Sequence, residues 1–364
     1  MATANAQLES RSRAVGGRAQ SRERLLSVSI AGLFAVFVLS LSVGATGISL
    51  ASLPDAAWFK LFGGDEVTAE RNALVLFELR LPRTLLAAFV GASLAVSGAL
   101  MQGLFRNPLA DPGLVGVSSG AALAAITTIA FGNEFAKPWM DAFGVYGLPF
   151  AAFIGGLVTT LTLVAVAGRH GRLMMGTLLL AGIALGALAG ALSGLIAYAS
   201  DDRELRDLTL WSMGSLTGAS WPKVFAILPF AALMIFAIPF LIRGLNGFLL
   251  GEAEAFHMGI NVERTKWIIV LTTAACVGAA VAVAGVIGFV GIVIPHIVRL
   301  VAGPDHSIVL PASAILGAGL VLIADIFARV VVAPSELPIG IILAAIGAPV
   351  FLHLVLRRGV GGME

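Results

Sequence analysis

Charged residues make up only 12% of this 364-residue chain, about half the share of an ordinary soluble domain. Too few charges remain to clothe a water-facing surface, which excludes a soluble globular protein. The single cysteine, Cys276, lies in an apolar run. It supports neither a disulfide framework nor a thiolate metal site, and is left as core or lipid-facing packing. No stretch joins a dense basic patch to stacking aromatics, and the net charge is only +2, so nucleic acid is not a partner. The phosphate-binding pattern GxxxxGK followed by Ser or Thr is missing, as is any soluble domain to hold it. Any ATP hydrolysis therefore belongs to another subunit.

What fills the chain is apolar: 58% of residues are hydrophobic and mean hydropathy is +0.97. Crossing roughly 30 Å of hydrocarbon takes about 20 apolar helical residues, because every backbone N–H and C=O must be satisfied within the segment. Blocks of that kind place spans at 25–47, 82–104, 113–131, 145–168, 173–199, 222–242, 264–284, 286–302, 308–332 and 339–356. The expected fold is all-α and polytopic, with about ten transmembrane helices between residues 25 and 358. Gly285, Gly288, Gly291 and Pro295 mark the eighth span as short or broken. Residues 1–24, with Arg11, Arg13, Arg18, Arg22 and Arg24, read as a disordered basic tail. The apolar run behind them exceeds the roughly 7–15 residues of a signal core, so a retained first helix is expected.

An even number of spans puts both termini on one side. Placing them in the cytoplasm gives that side 14 basic residues: the five tail arginines, Arg106, Arg169, Arg172, Arg243, Arg264, Lys266, Arg299, Arg357 and Arg358. The outside receives nine: Lys60, Arg71, Arg80, Arg83, Lys137, Arg203, Arg206, Lys223 and Arg329. The bias favours cytoplasmic termini.

Several features stand out within this pattern. Gly182, Gly186, Gly190 and Gly194 place a glycine at every fourth residue of one helix face, a packing surface for another helix or subunit, and the helix ends at Tyr198. Glu78 to Arg83 open the second span with Pro82, where a missing N–H costs little, and Arg80 and Arg83 serve at least as interfacial anchors. Arg106 to Gly113 form a turn-rich hinge or a tight loop. The inner segment at 248–263 mixes Glu252, Glu254 and His257 with Ala253, Ala255, Phe256 and Met258, and reaches Gly259. That is the pattern of a short surface helix with a glycine cap, suited to a groove on another protein or to a connector. Asp325 and Arg329 are four residues apart and can pair on one helix face.

Four stretches carry a family resemblance: "RLPRTLLAAFVGASLAVSGALMQGLFRNPLADPGLVGVSSGA", the Gly251–Gly259 segment, "GVIGFVGIVIPHIVRL" and "ADIFARVVVAPSELPIGIILAAIGAPVF". Together they resemble the FecCD-type permeases of ABC importers, which carry iron siderophores, haem and cobalamin across bacterial inner membranes. The resemblance implies a homodimer with a translocation path at its axis, two cytoplasmic ATPase subunits holding ATP and magnesium, and a periplasmic substrate-binding protein. It implies no enzyme activity and no cofactor in this subunit. Arg80, Arg83 and Arg329 match arginines that receive glutamates of the binding protein. Gly251, Glu252, Ala255, Phe256, His257 and Gly259 match the coupling helix that enters the ATPase. Gly186, Gly190, Gly194 and Tyr198 are candidates for the path.

Haem is the leading substrate on the resemblance of "DLTLWSMGSLTGASW", with ferric siderophore or cobalamin as alternatives. His170, His257, His296, His306 and His353 all fall on the inner half, so none is placed to ligate iron at the entry, whereas Tyr146 and Tyr198 lie nearer the outer mouth. An ion-coupled secondary transporter is the rival class, and its best intramembrane ionisable candidate, Asp325, has Arg329 beside it. Residues 107–121 loosely echo 336–348 from the opposite side of the membrane, which is what an inverted repeat of helices 2–5 and 7–10 leaves behind.

Overall fold

A computed structural model describes residues 2–44, 52–63, 67–132, 134–169 and 172–361. Among them, seven helices are long and apolar enough to cross a membrane, and three shorter apolar helices accompany them. The first, α1, spans Ala2–Ser42. Its backbone stays helical through the stretch where an irregular tail was expected, which lacks proline and is rich in Ala, Arg, Gln and Glu, residues that favour helix. Two short helices follow at the predicted outer face, α2 (Leu53–Phe62) and α3 (Val67–Leu74). A wide π turn over Val75–Arg80 then feeds α4 (Leu81–Phe105), with Pro82 in its first turn.

The chain continues through α5 (Val117–Ala130), α6 (Lys137–Phe143), α7 (Gly147–Ala167), α8 (Met175–Ala199), α9 (Asp202–Ser212) and α10 (Trp221–Phe248). A six-residue helix, α11 (Glu252–His257), precedes α12 (Val262–Ala284), α13 (Val290–Ala302), α14 (His306–Val330) and α15 (Ile339–Gly361). Gly168–Arg169 and Arg172–Leu173 form a two-residue antiparallel ladder between α7 and α8. Helices α4 and α12 are the most enclosed spans. Cys276 is buried within α12, its thiol directed at the Phe230 carbonyl, so core packing describes it.

Glycine sets how closely the central helices approach. A methyl group built on Gly91 would strike the Gly317 carbonyl, and one on Gly98 would strike that of Gly291, so α4 lies backbone to backbone against α14 and α13. Gly319, in contrast, faces open space. Gly98→Ala is therefore expected to destabilise the bundle by about 1–3 kcal/mol through forced backbone separation. Gly319→Ala serves as the control with an unchanged melting temperature, both read by thermal unfolding in detergent.

Two helices are about half the length of their neighbours, for the same reason. Before α5, Asp111 caps the short turn Pro112–Val115 by accepting from Gly113 N at 2.7 Å. Before α13, residues 285–289 are not helical and Phe289 adopts φ +68°. The third and eighth spans are thus shortened alike, and Pro112 packs on Gly291 where the two begin.

Candidate functional site

At the predicted outer face, four ionisable side chains meet. Arg83, two residues into α4, donates from Nε and Nη2 to Asp325 Oδ1 at 2.9 and 2.8 Å. Its Nη1 donates to Glu336 Oε1 at 2.7 Å. Arg329 lies one turn beyond Asp325 on α14, and its Nε sits 3.0 Å from Asp325 Oδ2, the pair expected from the four-residue spacing. The Asp325 side chain is 1% exposed, so this charge is out of water and held by two guanidiniums. Glu336 has a looser setting, 32% exposed on the loop ahead of α15, and also accepts from Thr217 Oγ1 at 2.6 Å. Burial pushes its carboxyl up, but the hydrogen bonds from Arg83 and Thr217 and the Arg83 charge outweigh that and leave it below the usual carboxylate range.

Arg80 and Arg329 are not on an exposed rim, contrary to the docking role expected for them. Arg80 is buried and donates from Nη1 to Leu41 O at 2.6 Å and Ser42 O at 2.8 Å. Arg329, also buried, donates from Nη1 to Ser40 O at 3.2 Å and Val43 O at 2.7 Å, and from Nη2 to Ser40 Oγ at 2.9 Å. The last carbonyls of α1 have no partner within the helix and carry the negative end of its dipole, so two cations beside them cap it. Only Arg83 keeps a solvent-facing edge, with its side chain 14% exposed.

A second polar network, which the sequence reading missed, ties five helices together at the predicted inner face. Arg299 on α13 donates to Gln102 Oε1 and, at 3.1 Å, to Ala99 O, both on α4. Gln102 Nε2 bridges the Gly291 and Ile292 carbonyls at 3.2 Å each. His306 at the start of α14 receives Arg299 Nη2 on Nε2 at 3.4 Å, which leaves Nδ1 to donate to Asn246 Oδ1 at 2.9 Å. Asn246, in the last turns of α10, donates to Asp305 Oδ1 at 2.9 Å, and Arg22 of α1 lies 3.0 Å from Asp305 Oδ2. Burial raises the Asp305 carboxyl, but hydrogen bonds from Ser307 and Asn246 and the Arg22 charge lower it to about 2. The available signal was a polar side chain, Gln102 or Asn246, inside an otherwise apolar block.

The expected coupling segment forms α11, six residues beyond Asn246. Gly251 and Gly259 bracket it with φ of +126° and +77°, conformations that a side chain would strain. Ala255 is fully buried against Gly247, so it seats the helix instead of meeting a partner. Phe256 is 69% exposed, and His257 and Met258 are exposed beside it. Lys266, 5% exposed, fixes α11 from below through Glu252 Oε2 at 2.6 Å and Glu263 Oε1 at 3.3 Å. Glu263 in turn accepts from Leu173 N at 2.9 Å. Next to Phe256 lies an 840 Å³ groove floored by Leu173, Ile260 and Lys266.

The candidate path residues lie on α8, a helix that is mostly uncovered. A methyl on Gly186 would meet Ser119 Oγ at 3.3 Å, whereas Gly190 and Gly194 have nothing within 4 Å. Tyr198, at the outer end, is 90% exposed. The small-residue face therefore packs inside the chain at Gly182 and Gly186 and stands open at Gly190 and Gly194.

An all-α membrane bundle without a nucleotide-binding motif, with a charged cluster at one face and an exposed helix at the other, has the form of an importer's membrane subunit. The FecCD transport family matches residues 32–357, and the chain belongs to that family. It is 42% identical to the hemin transport system permease protein HmuU of Yersinia pestis, covering 94% of this chain and 98% of that protein. It is 40% identical to the vitamin B12 import system permease protein BtuC of Vibrio cholerae, covering 93% and 96%. A solved structure of a metal-chelate type ABC transporter, in an inward-facing conformation, superposes with a TM-score of 0.79 at 31% identity, covering 92% of this chain and 99% of that one. The protein is thus a permease subunit of an ABC importer for hemin, cobalamin or another metal chelate.

Proposed function

We propose that the chain imports haem from periplasm to cytoplasm across the bacterial inner membrane, as one half of a homodimer that alternates its access. The observation that carries the substrate is the 42% identity with a hemin permease over 98% of that protein's length. The open face of α8, with Gly190, Gly194 and Tyr198, meets the second copy and borders the path at the dimer axis. Both termini are cytoplasmic, and surrounding lipid covers the remaining apolar surface. ATP and magnesium act in two separate ATPase subunits. Phe256 and His257 enter a cleft in each, while Gly251, Glu252, Ala255 and Gly259 hold them in position. A periplasmic binding protein delivers the ligand at the opposite face, where Arg83 is the arginine with an accessible edge. Arg80 and Arg329 support that face from within. Cobalamin import is the second reading, favoured by the 40% identity with a vitamin B12 permease. An ion-coupled mechanism has less support, because Asp325 already holds two arginines.

The test is ATP hydrolysis by the reconstituted complex of permease, ATPase and binding protein, offered haem, a ferric siderophore or cobalamin. Stimulation by haem alone is expected. Stimulation by cobalamin or the siderophore, with haem inert, would reassign the substrate.

A further inference from the structure

We infer that Glu336 is an exchangeable latch on Arg83, occupying the place that a carboxylate of a docking protein takes when it binds. The inference rests on the docking role proposed above for the outer face. In this structure Arg83 serves Asp325 through Nε and Nη2 and Glu336 through Nη1, which leaves one N–H on each Nη for a further acceptor. An incoming carboxylate that reaches this end of the guanidinium meets Glu336 as a like-charged competitor for Nη1.

The two carboxylates differ in how they can leave. Asp325 is 1% exposed and also faces Arg329, so removing it would strand two guanidiniums, the Arg329 one buried and the Arg83 one mostly so. Glu336 is 32% exposed, lies on a loop and contacts one arginine and one hydroxyl. A partly exposed pair of that kind is weak and exchangeable, and water can take over the released carboxylate. Glu336 is the one that yields.

Its release has a structural consequence. Through Thr217, Glu336 joins the loop before α15 to the segment between α9 and α10. The same two segments are held together by Ile339 N donating to Gly214 O at 2.9 Å and Gly340 N to Met213 O at 3.1 Å. The side-chain bond is the solvent-exposed end of this strap. Exchange at Arg83 therefore removes the outermost tie on the start of α15, and an acidic partner loosens the strap by the same contact that docks it. The occupant this site fits is a protein surface presenting a carboxylate, because Arg83 Nη1 already binds one at 2.7 Å.

The test measures affinity of the binding protein for the complete permease–ATPase complex in lipid nanodiscs, at low and high salt. Glu336→Gln keeps shape and removes the competing charge, and is expected to tighten binding by about fivefold at low salt, the scale of one partly exposed ion pair. Thr217→Val removes the hydroxyl that holds Glu336 in place and is expected to tighten binding by a smaller factor, which guards against a folding defect peculiar to the first variant. Arg83→Gln should weaken binding. If Arg83→Gln weakens binding while both latch variants leave it unchanged or weaken it, docking at Arg83 stands and the latch is overturned. If Arg83→Gln leaves affinity unchanged, the docking role fails and the latch with it.

Discussion

Phe256→Asp is expected to abolish ATP-driven transport while leaving the membrane bundle folded. The side chain is 69% exposed, so its replacement removes almost no packing within the chain. The seat of α11 does not depend on it: Ala255 is buried and Lys266 holds Glu252. An aromatic anchor at the centre of a docking surface is typically worth about 2 kcal/mol or more, and burying an unpaired carboxylate there adds a desolvation penalty of roughly the same size. Together these reduce affinity for the ATPase by more than about a hundredfold. The checks are co-purification of the ATPase, transport in vesicles and the melting temperature of the permease alone. Retained transport and retained co-purification would reduce α11 to a connector. A lowered melting temperature would point to a role in folding.

Asp325→Asn should produce the largest loss of stability of any single change at the outer face. The substitution preserves shape but removes the only carboxylate shared by Arg83 and Arg329. Removing one partner of a buried pair typically costs about 3–5 kcal/mol, because the remaining charge stays out of water. Here Arg329 also caps α1 through the Ser40 and Val43 carbonyls, so α1 should loosen with it. Thermal unfolding in detergent and protease sensitivity of α1 read the effect. A variant as stable as the parent would mean that water reaches Asp325 despite its 1% exposure.

The two variants probe features that differed in legibility. The segment around Phe256 was readable because a polar, glycine-bounded stretch between apolar blocks can do little except form a surface helix. The pairing of Asp325 with Arg329 was readable because helical spacing alone puts residues four apart on one face. Arg83 joining that pair was not readable, since 242 residues separate it from Asp325. Nor was the burial of Arg80 and Arg329. Adjacent arginines at a helix mouth look like interfacial anchors until the end of α1 is seen to lie beside them with its carbonyls unpaired. Gln102, Asn246 and His306 were each noticeable as polar residues in apolar surroundings, but only packing shows that they form one network with Arg299 and Asp305.

By itself, the sequence determined that this protein lives in a membrane, that its spans are helices, and where its surface helix lies. These follow from local physics, because backbone groups in hydrocarbon must bond within their own segment and apolar length reports each crossing directly. Tertiary structure decided which arginine keeps an accessible edge, which glycines bring helices together and which stand open, and how far α5 and α13 are shortened. Those outcomes depend on where distant segments meet, and in a low-dielectric interior a charge goes to whichever helix end or carboxylate the fold brings within reach.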